Sequence, residues 1–430
     1  MPEKNKEVIH AALLGAGTVG GGLYRLVKKM KKEIPNRVGC GLDIKKVLVR
    51  DASKPRKGID EKVLTDNWDE ILNDKDIKIV IELMGGTGLA KSHIIDALNA
   101  GKHVVTANKD LLAQNGEEIF AAARDNNCDI QFEAAVAGAI PIIRPLMQNM
   151  AGDNITEIMG IVNGTTNYIL TKMTEEKMSY LEALEAAQKK GYAESDPTSD
   201  VEGLDAARKI AIMAHLIYHT NVTFEDVYKE GITFIMPDDI RYSGELGYVI
   251  KLVGTTKLTD GKVEARVHPI LLKKDHPLAS VRNSFNAIFV KGEAMDEAMF
   301  MGRGAGSMPT ASAVLGDVLD VMRNIRMGCC GRVQVENYCD IPIKPIDETK
   351  NNYFIRMKVE DRPGVLAEIA NVLGDNKVGI ANVSQKDTRD GIADLLFIIE
   401  EVKESHMVEA CSAMRGLDCV YSIANVIRVY

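Results

Sequence analysis

Gly15-Ala16-Gly17-Thr18-Val19-Gly20 follows a short apolar run, Val8–Leu14, and leads into Gly21–Met30, which reads as a helix. Strand, glycine turn and helix in this order leave little choice of fold. The first glycine allows the tight turn. The second lets a pyrophosphate approach the backbone, and the third lets helix and strand pack closely. The first N–H groups of such a helix lack intrahelical partners and can meet phosphate oxygens. The pattern predicts an α/β domain over residues 1–140, a Rossmann-type parallel sheet holding a dinucleotide on Gly15, Gly17, Thr18, Val19 and Gly20.

Val47–Arg50 reads as the second strand of that sheet. Sites that choose NAD usually end this strand with an acid for the ribose 2′-hydroxyl. Here Arg50 stands at the tip, with Lys54, Arg56 and Lys57 close behind. That is chemistry for a 2′-phosphate and points to NADP, while the adjacent Asp51 keeps NAD open. Ile79–Met84 is a continuous apolar strand with one acid, followed by Gly85-Gly86-Thr87. After a helix over Leu89–Ala100, His103–Lys109 runs as a strand into a polar tip containing Thr106 and Lys109. Ligands of open α/β sheets sit at such carboxyl ends, so Lys109 is a functional candidate. Ile130–Pro141 is another strand, opening into a loop of small residues.

From Ile155 the pattern changes. Glu157–Val162 reads as a strand, and Asn163-Gly164-Thr165-Thr166-Asn167 as a polar turn whose amides and hydroxyls could bind an amino acid's polar groups. Amphipathic Tyr180–Lys190 leads into Gly191–Lys209, where Glu194, Asp196 and Asp200 crowd a Gly/Pro/Ser/Thr-rich loop. Pro197 favours a turn, and Asp200 or a polar neighbour can cap the next helix. Ala206, Ile210, Met213 and Ile217 then recur at three and four, marking one buried face. Asp205 and Lys209 stand i, i+4 on one face of that helix, and Ile212 and Leu216 continue that face, so Lys209 is expected to be partly buried. A partly desolvated lysine beside a carboxylate is a tunable proton donor. Val263–Leu272 and Ala287–Lys291 read as strands of an antiparallel sheet, giving an α+β domain over 141–300. Phe300–Asp317 is a second glycine loop, with Gly304 and Gly306, opening a helix.

Ile341–Asn352 is rich in prolines, charges and amides and reads as a linker. A strand at Tyr353–Val359, the loop Asp361-Arg362-Pro363-Gly364, a helix to Asn376, strands near Ile380–Lys386 and Ala393–Glu400, a helix near Glu404–Gly416 and a strand at Val420–Val429 complete a βαββαβ unit over 353–430.

At 430 residues, with 46% hydrophobic and 27% charged, the chain suits two or three globular domains. A net charge of −8 argues against nucleic acid as the main partner. No apolar run is long enough to span a bilayer, and the first residues carry no secretory apolar core, so a cytoplasmic location is expected. The seven cysteines show no C-x-x-C spacing.

Ala187-x-x-x-Gly191-Tyr192-Ala193 and Asp196-Pro197-x-x-Asp200-Val201-x-Gly203-x-Asp205-x-x-x-Lys209 resemble the signature of homoserine dehydrogenases, and residues 1 to about 345 follow that family almost continuously. The resemblance implies reduction of L-aspartate 4-semialdehyde to L-homoserine with NADPH or NADH. It implies Lys209 as acid/base, with Lys109 and Asp205 beside it in the active site. Tyr192, Glu194, Asp200, Asp205 and Lys209 would bind substrate, Glu194 taking the ammonium. The residues Arg50, Thr106, Lys109, Gly304 and Gly306 would join the cofactor site, the segment near 300–340 returning to complete the nucleotide domain. Arg303 stands where some relatives carry proline. A monovalent cation such as sodium would sit on Glu133, Val136, Gly138 and Ile140, mostly on backbone oxygens. The C-terminal unit resembles an ACT domain, which implies an amino acid effector such as L-threonine near Asp361–Gly364 and assembly as a homodimer or homotetramer. Two alternatives stand beside this reading. An aspartate-semialdehyde dehydrogenase would need a cysteine nucleophile, for which Cys128 is poorly placed. A non-catalytic amino acid sensor would make no use of the acid–lysine stretch.

Overall fold

The structure is a computed structural model that describes residues 7–430. Two compact units emerge. The first takes in the chain to Thr156, then Arg208–Asp226 and Asn286–Asp340; the second takes in Glu157–Ala207, Val227–Phe285 and Ile341–Tyr430.

In the first unit, β1 (Val8–Leu14), β2 (Gly41–Leu48), β3 (Leu64–Thr65), β4 (Ile77–Glu82), β5 (His103–Thr106) and β6 (Ile130–Gln131) form a sheet ordered β3-β2-β1-β4-β5-β6. Every pairing is parallel, with Leu13 opposite Val47 on one side and Ile81 on the other. Parallel strands need crossovers, among them α1 (Thr18–Lys29), α2 (Gly88–Asn99) and α3 (Lys109–Asp125). Ala11–Leu14 are fully buried, as expected of an apolar strand covered on both faces. The strand order reverses between β1 and β4, and the crevice beyond their carboxyl ends is where such sheets bind ligands.

In the second unit, β7 (Ile155–Ile161) precedes α4 (Gly164–Glu175), α5 (Tyr180–Lys189), the short α6 (Thr198–Val201) and α7 (Leu204–Tyr218). Helix α7 begins in the second unit and belongs to the first from Arg208 onward. After β8 (Tyr228–Lys229) and α8 (Pro237–Glu245), β9 (Tyr248–Thr259) and β10 (Lys262–Lys273) form an antiparallel hairpin paired from Thr259–Lys262 out to Tyr248–Lys273. Its two turn residues, Asp260 and Gly261, have φ of 54° and 73°, the left-handed pair that suits the twist of a two-residue hairpin. β9 was not expected from the sequence, although this Asp-Gly turn is its signal. β11 (Phe285–Gly292), β12 (Asp296–Arg303) and α9 (Ser307–Met327) follow, almost wholly in the first unit. There α9 lies against α1: Ser307 Oγ donates to the Thr18 carbonyl at 2.7 Å, and a Cβ on Gly22 would meet that hydroxyl at the same distance.

The C-terminal segment folds as βαββαβ: β13 (Lys350–Glu360), α10 (Val365–Asp375), β14 (Ile380–Arg389), β15 (Ile392–Lys403), α11 (Glu404–Arg415) and β16 (Val420–Val429). Alternate residues of β13, Tyr353, Ile355, Met357 and Val359, pack with Ile369 and Leu373 of α10 and Met407 and Met414 of α11. This module is not tethered by a loose linker. β16 pairs in parallel with β10, Ile270 opposite Arg428 and Leu271 opposite Val429. The sheet of the second unit therefore runs β7-β9-β10-β16-β13-β15-β14. The stretch read as a linker is itself bound to β10, since Val263 N donates to Pro342 O at 2.9 Å and Lys344 N to Val263 O at 2.8 Å. No helix among the described residues is long and apolar enough to cross a membrane.

Candidate active site

The loop after β1 lies at the switch point. Gly15 has φ of 95°, and a Cβ there would meet Leu83 O at 2.7 Å. A Cβ on Gly20 would fall 2.1 Å from Gly15 O. Gly17, by contrast, faces open space and starts α1 with no side-chain cap. The first N–H groups of α1, at Thr18 and Val19, are thus left for a ligand. A glycine turn closed behind and open in front fits a dinucleotide pyrophosphate.

Thr106, expected to touch the cofactor, is fully buried, and its hydroxyl donates to Glu82 Oε2 at 2.7 Å. The other oxygen of Glu82 accepts from Met84 N at 2.7 Å and Gly85 N at 3.1 Å. Asn108 caps α3 through Leu111 N and donates to Gly86 O at 2.7 Å. Glu82 and Asn108 therefore tie down the segment 84–86, and the Thr106 hydroxyl is spent on Glu82. The one acid in an apolar strand was the sequence signal for Glu82. Past β2, Arg50 is exposed. Asp51 is occupied by Ser53 and Lys54, whose hydrogen bonds hold its carboxyl below the usual range.

The small-residue loop after β6 has Ala137 and Gly138 at φ of 53° and 56°. A Cβ on Gly138 would lie 2.5 Å from Gly304 O, and Ala139 N donates to Arg303 O at 3.1 Å, so this loop meets the second glycine loop backbone to backbone. Glu133 uses its carboxylate on the N–H groups of Ile142, Ile143 and Arg144, at 2.6, 2.7 and 3.0 Å. With that side chain committed, any ion held by Glu133, Val136, Gly138 and Ile140 would rest on their carbonyl oxygens. Nearby in sequence, His103, Asp129 and Cys330 stand within 4.8 Å of one another. Yet His103 Nδ1 accepts from Asp129 N at 3.1 Å, and the Asp129 oxygens accept from Asn324 and Gly331. A neutral ring so engaged carries its proton on Nε2, and the cluster reads as a structural staple.

In the second unit the acids converge on Asn163. Its Nδ2 donates to Asp200 Oδ1 at 2.7 Å and Asp205 Oδ2 at 2.9 Å. Thr165 Oγ1 donates to Tyr192 O at 2.7 Å, and the rings of Tyr168 and Tyr192 stand 5.1 Å apart. Glu194 is exposed, its backbone oxygen held by Gln188 Nε2 at 3.1 Å. Gly203, at φ of 77°, turns the chain between α6 and α7. Asp200 thus lies within α6 and does not cap α7. The polar turn at 163–167 does not present its side chains as expected. The Asn163 amide serves the two acids, and the Thr166 hydroxyl turns back to Asn163.

Helix α7 carries Asp205 in its first turn and Lys209 one turn later, 7% exposed. In the first unit, Arg208 Nε pairs with Asp110 Oδ1 at 2.6 Å, and Lys109 Nζ lies 3.9 Å from the other Asp110 oxygen. Neither Asp110 nor Arg208 was singled out from the sequence. Cys128 is buried, and burial pushes its thiol up to about 11, which removes it as a nucleophile.

A dinucleotide sheet with a buried lysine one turn from an acid is the frame of a nicotinamide-dependent oxidoreductase, here followed by a C-terminal βαββαβ module. Comparison with known proteins is specific. Residues 141–319 match the homoserine dehydrogenase family model, 15–133 its NAD-binding domain and 353–415 the ACT domain. The homoserine dehydrogenase of Bacillus subtilis is 43% identical over 98% of both chains, and that of Corynebacterium glutamicum 44% identical over 97% of this chain and 95% of that one. Among solved structures, a homoserine dehydrogenase from Thiobacillus denitrificans superposes with a TM-score of 0.93 at 38% identity, each chain covered to 99%. A hyperthermophilic archaeal homoserine dehydrogenase in complex with NADPH gives 0.62 at 27% identity, over 73% of this chain and 97% of that one. The chain belongs to the homoserine dehydrogenase family, NAD(P)-dependent oxidoreductases acting on a CH–OH group.

Proposed function

We propose that the chain interconverts L-aspartate 4-semialdehyde and L-homoserine with NADP as the favoured cofactor. The observation carrying this reading is Lys209, buried on α7 one turn from an acid already bound beside Asp200. The cofactor, when bound, supplies or takes up hydride. The chain's own residues do the rest. Gly15, Gly17, Thr18, Val19 and Gly20 would hold the pyrophosphate, and Arg50 the 2′-phosphate, with Gly304 and Gly306 completing the pocket. Lys209 would donate a proton to the oxygen that gains charge during reduction and accept it back during oxidation. Lys109 would steady that charge. Glu194 and Asp205 would take the ammonium and hydroxyl ends of the amino acid, Tyr192 and Asp200 shaping the same site.

Two substitutions test the assignments. Glu194→Gln should raise KM for homoserine about 10- to 100-fold, the worth of a hydrogen bond to a charged group. If KM holds while NADPH affinity falls, Glu194 serves the wrong ligand. Arg50→Ala should cut kcat/KM with NADPH about tenfold and leave that with NADH unchanged. An equal loss with both cofactors would remove Arg50 from cofactor choice.

The reading extends to a sodium ion on the carbonyls of Glu133, Val136, Gly138 and Ile140, a cytoplasmic homodimer or homotetramer, and feedback by L-threonine at the C-terminal module. Gly364, at φ of 94°, caps α10 with no side chain, leaving N–H groups that suit a carboxylate. Because β16 is paired to β10, a point change tests feedback better than truncation. Gly364→Val should abolish inhibition by millimolar threonine at unchanged kcat. Undiminished inhibition would place the effector elsewhere.

A further inference from the structure

Asn163 is the N-cap of α4, and its amide has only one orientation open to it. Oδ1 accepts from Thr166 N at 2.9 Å and from Thr166 Oγ1 at 3.0 Å. Because an amide oxygen cannot donate, those two contacts turn Nδ2 the other way. That nitrogen then uses its two hydrogens on two different acids, Asp200 at 2.7 Å and Asp205 at 2.9 Å. The acids come from separate elements, α6 and the first turn of α7, separated by the turn at Gly203. Asn163 itself is 5% exposed. Two carboxylates within hydrogen-bond reach of one nitrogen repel each other and resist joint ionisation unless donors offset them.

We infer that Asn163 is a positioning residue for the reaction, holding Asp200 and Asp205 at a fixed spacing for the substrate, with Thr166 locking its amide. The inference deepens the proposed function and rests on its reading of Asp205 as a substrate residue. Leucine at 163 would strip both acids of their shared donor. Aspartate would keep the shape and the cap yet turn the donor into a third acceptor.

Asn163→Asp is therefore the discriminating variant. Aspartate caps helices as well as asparagine does, so the fold and NADPH affinity should hold. The value of kcat/KM for homoserine should fall about 10- to 100-fold, mainly through KM, as expected for loss of a hydrogen bond to a charged group. A third carboxylate raises the pKa of its neighbours, so the acid limb of the kcat/KM profile should move to higher pH. Thr166→Val, which frees the amide to turn, should give a smaller loss of the same kind. An active wild type together with unchanged KM and an unmoved acid limb in Asn163→Asp would overturn the inference. A loss of folding or of NADPH affinity in both variants would overturn it too, by making Asn163 a purely structural cap. A wild type that reduces no NADP with homoserine would instead sink the proposed function itself.

Discussion

Lys209→Ala is expected to lower kcat by about 10²–10⁴, the usual contribution of a positioned general acid or base. The side chain is 7% exposed on α7, and the helix packs Ala206, Ile210 and Met213 in the core. An alanine at 209 keeps the helical pattern and deletes a buried charge, so circular dichroism and NADPH binding should stay close to wild type. The loss should appear in kcat with either cofactor and in both directions, because the same group donates in reduction and accepts in oxidation. Lys209→Arg is the sharper control. It keeps the positive charge, but a guanidinium does not give up its proton in this pH range, so it should remain nearly as slow as alanine. A Lys209→Arg enzyme close to wild type would mean that charge alone is needed and that Lys209 transfers no proton.

Arg356→Met should cost about 3–5 kcal/mol of stability, the usual penalty for leaving a buried charge without its partner. Arg356, on β13, is 3% exposed, and its Nε donates to Asp239 Oδ1 at 2.7 Å. Asp239, on α8, is fully buried, and among the described residues its other donors are neutral, Met236 N at 2.8 Å and Asn425 Nδ2 at 2.9 Å. The pair joins the C-terminal module to the rest of the second unit, so urea should expose that module first in the single variant. Arg356→Met combined with Asp239→Leu should recover much of the loss, since an apolar pair of similar volume can replace a buried ion pair. A single variant whose urea midpoint matches wild type would show that the pair contributes nothing to stability.

Homoserine dehydrogenase character was legible because it rests on short-range patterns. A strand, three spaced glycines and a helix carry their own backbone requirements, and the structure puts Gly15 at a positive φ and Gly20 where a Cβ would strike Gly15 O. The i, i+4 spacing of Asp205 and Lys209 needs only helical geometry, and the apolar repeat around it correctly predicted that Lys209 is buried. Alternation along Tyr353–Val359 likewise announced β13.

Other features depended on which distant segments meet. Nothing local in Thr106 says that its hydroxyl is spent on Glu82, because that bond forms only when β4 and β5 align in register. The Asn163 turn looked like a donor set for substrate, yet its amide was claimed by Asp200 and Asp205, more than thirty-five residues downstream. Ile341–Asn352 has a linker's composition, but pairing at Val263 and the ladder from β10 to β16 bind the C-terminal module into the sheet. Periodicity and special φ values are properties of a few consecutive residues, so the sequence by itself determined most of the elements and the spacing of the lysine and its acid. The partner of each polar group depends on backbone placement accumulated over long stretches of chain, and only the tertiary structure decided it.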